Sequence, residues 1–101
     1  MKGHLVDLHR HVTLHQNRPD PFRDVTVIPF SLHTSAIVSI VVADLYGRDL
    51  QTILHEWRPA GDHAVEFNGR GYPEGLYLYR ISVEDVVHSK TMLLLREHEP
   101  L

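Results

Sequence analysis

The chain contains no cysteine. That excludes a disulfide framework and a thiolate metal site, though not an exported protein. A long hydrophobic run is also missing. The longest, Ala36 to Ala43, is broken by Ser39 and falls well short of the roughly 20 residues that a membrane-spanning helix needs. Positive charge is in deficit, with 10 Lys and Arg against 13 Asp and Glu and a net charge of −3. A nucleic-acid module that lives on phosphate neutralisation is therefore not expected. No P-loop, HExxH or nucleophile-elbow pattern occurs. Asp44 and Asp62 form no recognisable catalytic pair, so the chain reads as a non-enzyme without a cofactor. No apolar segment follows Met1-Lys2-Gly3-His4 in the manner of a secretory leader. The expectation is a cytoplasmic protein if this is the complete product, and a secreted or cell-surface one if it is part of a longer exported protein.

What is present fits one small domain. The chain has 101 residues, 43% of them hydrophobic, which suits one globular unit and argues against general disorder. Nine histidines can reverse the sign of the net charge between neutral and mildly acid pH. His4, His9, His11 and His15 crowd the start, with Asp7 nearby. His9 and His11 would share one face of a strand, a spacing compatible with Zn²⁺ or Ni²⁺. With no rigid scaffold and no clear fourth ligand, residues 1–13 read as a flexible solvated segment, and no metal site is expected.

The rest is punctuated like a β-sandwich. Gln16-Asn17-Arg18-Pro19-Asp20-Pro21-Phe22 excludes helix through its two prolines and favours an extended path ending on an apolar anchor. Val25–Leu32 alternates, but Pro29 inside it predicts an edge or bulged strand. Ile37–Ala43 is rich in Ile and Val and reads as a central strand. Asp44–Arg48 reads as a turn capped by the Asp44 side chain, with Gly47 at positive φ, and Leu50–His55 closes a hairpin. Asn68-Gly69 predicts a tight turn, both residues tolerating positive φ. Gly75 opens a strand where a Cβ is costly, and Tyr77, Tyr79, Ile81 and Val83 share one face of it. A glycine followed two residues on by Tyr77 matches the tyrosine corner of immunoglobulin-like sandwiches. Tyr77 and Tyr79 could stack on a sugar or base, but their positions favour the core. Trp57, the single tryptophan, is either an exposed loop contact for a partner or a plug in the sandwich end. The final strand, Val86–Leu95, precedes a charged tail, residues 96–101.

About seven short strands at 8–12-residue spacing and no convincing helix predict an all-β, immunoglobulin-like sandwich of antiparallel strands. The expected core is Ile28, Phe30, Val38, Ile40, Val42, Val65, Phe67, Tyr77, Tyr79, Ile81, Met92 and Leu94.

The order of motifs resembles the carboxy-terminal type A sorting domain of proteins exported by the type IX secretion system, and the similar immunoglobulin-like domain of flagellar hook-capping proteins. The resemblance is carried by Pro19, Pro21 and Phe22 in the Gln16–Phe22 segment; by Thr26–Leu32; by Asp44, Gly47 and Arg48; by Gly61 in Ala60-Gly61-Asp62-His63; by Asn68 and Gly69; by Gly75, Tyr77, Tyr79 and Arg80; and by Lys90 and Met92 in the last strand. It covers residues 14–96. Arg18, Asp20, Asn68 and Glu74 depart from the family pattern, and 97–101 form an acidic tail beyond its usual end. The resemblance implies a non-catalytic domain that directs export or surface attachment, with secretion machinery or a neighbouring protein domain as partner. The alternative is a general immunoglobulin-like binding or structural module, self-associating through an edge strand or holding a neighbour.

Overall fold

A computed structural model describes residues 11–96. Most of the histidine-rich segment and the acidic tail lie outside the described residues. Seven strands follow one another: β1 (Val12–Leu14), β2 (Val25–Leu32), β3 (Ala36–Ala43), β4 (Asp49–Arg58), β5 (Gly61–Asn68), β6 (Gly75–Val83) and β7 (Val86–Leu94). They form two antiparallel sheets, one ordered β1-β2-β5 and the other β4-β3-β6-β7. The sandwich starts at Val12, two residues before the expected boundary.

Period-two alternation decides which side chains meet between the sheets. Ile28, Phe30 and Leu32 point inward from β2, Val38, Ile40 and Val42 from β3, and Tyr77, Tyr79, Ile81 and Val83 from β6. Phe67, Met92, Leu94 and Phe22 complete the core. Val65 is only half-buried, because β5 is an edge strand with no neighbour beyond it.

One expectation about a single strand fails for a physical reason. β2 is neither an edge nor bulged: it runs between β1 and β5 in unbroken register. Pro29 is tolerated because β1 stops at Leu14. In an antiparallel strand a residue's N–H and C=O point to the same side, and the Pro29 carbonyl accepts the His15 N–H (3.0 Å). The missing proline donor thus faces the His15 carbonyl, which takes the Tyr79 hydroxyl instead (2.8 Å). β3 does lie centrally, between β4 and β6. Its apolar character, however, is buried on one face only: Ile37 is 59% exposed, since none of the described residues forms a third layer over the four-stranded sheet. β4 also runs farther than expected, to Arg58, and carries Trp57 on a strand rather than a loop.

Candidate recognition surfaces

Antiparallel pairing sends the β1–β2, β3–β4 and β5–β6 connections and the end of β7 to one end of the sandwich. The Gln16–Phe22 segment closes that end by binding both sheets. The peptide bonds before Pro19 and Pro21 are both cis. Asn17 is buried, and its amide donates to the Pro19 carbonyl (3.1 Å) and the Thr26 hydroxyl (3.0 Å). The Thr26 hydroxyl in turn donates to the same carbonyl (2.9 Å). The Asn17 backbone N–H donates to the Tyr79 phenol oxygen (2.9 Å). A core tyrosine of one sheet therefore pins the entry loop of the other. Burial of Tyr79 penalises the phenolate and pushes its pKa up to about 12, a weaker opposing pull coming from the Asn17 N–H. Gln16 reaches the Thr91 carbonyl (2.8 Å), and Asp20 accepts the Leu93 N–H (3.0 Å). Phe22 then runs parallel to the end of β7: its N–H donates to Leu93 (2.9 Å) and its carbonyl accepts from Leu95 (2.9 Å). The Phe22 ring meets Phe67 edge-on, centroids 6.1 Å apart.

The β5–β6 connection locks onto this plug. Asn68 Oδ1 accepts the Arg70 N–H (3.0 Å), the Asx turn that an aspartate would also make. Neither Asn68 nor Gly69 has positive φ, contrary to the tight-turn expectation; Gly71 does, at +92°. Gly69 is glycine because of close approach. Its N–H donates to the Asp24 carbonyl (2.6 Å), and a Cβ there would lie 2.9 Å from Phe22 Cε2 and 3.3 Å from Leu94. Gly75 has open space around it but a φ of +148°, so a side chain there is costly through backbone strain. Tyr72 packs against Phe67 and Tyr77 and donates to Gln51 (3.1 Å). The Tyr77 hydroxyl donates to the Pro73 carbonyl four residues upstream, a tyrosine corner at the start of β6. Burial raises its pKa. Arg96 acts as a clamp, although the sequence assigns it to the tail. Its guanidinium donates to the carbonyls of Tyr72 (2.9 Å) and Gly69 (3.0 Å), and its N–H donates to the Glu74 carboxylate (2.7 Å).

The third connection is the Asp44–Arg48 turn. The Asp44 carboxylate accepts the Tyr46 and Arg48 N–H groups (both 2.9 Å) and the Arg48 guanidinium (2.7 Å). The bond from the Arg48 backbone N–H is the main reason its pKa lies below the ordinary value of 3.8; desolvation opposes the shift, and the Arg48 side chain adds to it. Gly47 supplies the positive φ expected of it, +87°. This turn lifts Leu45 and Tyr46 into solvent, Tyr46 being 86% exposed. Leu50, Leu76 and Leu95 are also exposed at this end.

The other motif residues scatter. Gly61 lies at the opposite end, with φ +126°. Arg80 pairs with Asp49 (2.9 Å) on the outer face. Lys90 is half-buried on β7 beside β1, and Met92 is core. Away from the motifs, Ser31 donates to Asp62 (2.7 Å), and His15 Nε2 lies 3.3 Å from the Ser31 hydroxyl. Here serine is the middle member, so no carboxylate orients the imidazole toward it, and the order of a Ser-His-Asp relay is not met. Among the described residues there is no group of three or more metal-ligating side chains and no helix long and apolar enough to cross a membrane. The histidines at 4 and 9 lie outside the described residues.

Seven antiparallel strands ordered 1-2-5 and 4-3-6-7, with a tyrosine corner leading into the sixth, make an immunoglobulin-like sandwich in which the fourth strand has joined the second sheet. Comparison with family models, curated proteins and solved structures finds no match to this chain.

Proposed function

We propose that this is a non-catalytic recognition domain, read at the end where the three connections meet, and that its role is that of a type IX sorting domain directing export or surface attachment. One observation carries the reading. Most of the segments that bear the resemblance, distant in sequence, converge on this end: Pro19, Pro21 and Phe22, Asp44 to Arg48, Asn68 to Gly75, and the close of β7. Residues that depart from the family pattern still serve the same construction. Asp20 holds Leu93, Asn68 makes its Asx turn and Glu74 receives Arg96. Loops held this firmly on a rigid scaffold suit recognition. The exposed Leu45, Tyr46, Leu50, Leu76 and Leu95 offer a protein partner an apolar contact.

The test is a reporter carrying a signal peptide, fused to residues 11–101 or 11–96 and expressed in a host with a type IX system. Export of both fusions to the surface or medium supports the reading. Export of the shorter alone says that residues 97–101 mask the signal. Retention of both folded fusions in the periplasm overturns it and leaves an immunoglobulin-like module of another purpose.

A further inference from the structure

The far end of the four-stranded sheet carries a feature that the export reading does not use. Its outer face holds an open groove of about 580 Å³ whose lining includes Ile37, Ser39, His55, Trp57, Ser82 and Glu84. The volume is within the range of small-ligand sites. We propose that this groove binds an uncharged glycan chain lying across the strands.

Trp57 is the platform. It is 60% exposed, yet it sits on a strand directly opposite Ile37, and an aromatic–β-branched cross-strand pair holds such a ring in place. A pyranose has an apolar C–H face that covers an indole and a rim of hydroxyls that needs partners. Those partners stand in the next row of the sheet. His55, Ser39 and Ser82 are in register on β4, β3 and β6, spaced by the strand separation of about 4.8 Å, a step comparable with the repeat of an extended pyranose chain. The side chains of Ser39, Ser82 and His55 and the Trp57 indole N–H make no hydrogen bond among the described residues. Among the described residues their donor and acceptor capacity is unused.

Charge narrows the class. The groove's lining includes one carboxylate, Glu84, and no Lys or Arg. Phosphates, sulfates and acidic sugars would find no Lys or Arg among the described lining residues, only the imidazoles of His55 and, at the rim, of His11, 3.9 Å from Glu84, whereas the Glu84 carboxylate can accept from sugar hydroxyls. The short serine side chains leave the floor shallow enough for a ring to lie flat.

Because Trp57 is the only tryptophan, intrinsic fluorescence of the full chain reports on this site alone. Titration with cello-, xylo-, manno- and chito-oligosaccharides should give a saturable change with at least one family. Affinity electrophoresis on the matching polysaccharide should then show binding weakened about tenfold or more by Trp57→Ala. Ser39→Ala with Ser82→Ala should weaken it severalfold, and Arg48→Ala at the other end should leave it unchanged. Circular dichroism confirms that each variant folds. A flat titration with all four families overturns the proposal. So does a Trp57 signal that follows protein concentration alone, which would make the face a contact between two copies. The outcome is independent of the export assay, which reads the other end.

Discussion

At the end where the entry loop and the β5–β6 connection meet, side chains and main chain from both sheets interlock through the hydrogen bonds of Gln16, Asn17, Asp20, Tyr79 and Arg96. At the opposite end Trp57 and Ile37 stand out from the outer sheet face with more than half their surface in solvent, beside serines with no side-chain partner among the described residues. The two ends use the same kinds of residue differently. The first end uses aromatics as internal struts: Phe22, Phe67, Tyr72 and Tyr77 form a chain of ring contacts, edge-on at Phe22–Phe67 and Tyr72–Tyr77 and tilted at Phe67–Tyr72. At the second, Trp57 points outward, where it contributes little to stability. Stability and recognition overlap at the first end and are separate at the second.

The largest difference between the two ends is expected from a pair of truncations. Phe22→Ala should cost about 3–5 kcal/mol, because the ring is almost fully buried and its neighbours belong to both sheets. Trp57→Ala should change stability by no more than about 0.5 kcal/mol. Urea unfolding of the two variants checks both, and equal losses would erase the distinction between the ends.

A smaller effect is expected from Tyr79→Phe. The ring still fills the core, but the His15 carbonyl and the Asn17 N–H lose their partner, at a cost of about 1–3 kcal/mol. Wild type should show the same linkage through pH. The folded phenol titrates near 12 against an ordinary value of 10.0, so the fold favours the neutral form. That contribution is complete below pH 10 and is lost as pH climbs from 10 to 12. Unfolding midpoints measured across this window should fall in wild type and fall less in the variant.

The smallest expected effect is at the exposed turn. Asp44 has a lowered pKa, so its carboxylate form supports the fold above pH 3.8, and that support fades as pH drops below it. Asp44→Ala should lower the thermal midpoint slightly at neutral pH and not at all at strongly acid pH. A loss that persists in acid would mean the turn is held by something other than this carboxylate.

Alternation in β2, β3 and β6 was enough to name the sandwich and most of its core, because a strand's side-chain period is a local property that survives into the fold. The tyrosine corner and the Asp44 cap were legible for the same reason, being contacts over four residues or fewer. The rest depends on contacts between residues far apart in sequence. The place of β2 in the middle of its sheet, in spite of Pro29, depends on where β1 ends. The need for glycine at position 69 comes from Phe22, far away in sequence, and Arg96 becomes a clamp through carbonyls more than twenty residues earlier. That Trp57 faces solvent follows from the two-sheet topology, in which no described residue covers the outer face of the four-stranded sheet. Composition and period specify what each segment wants to bury; which segments come together to bury it is settled by long-range packing, and that is where both candidate surfaces arise.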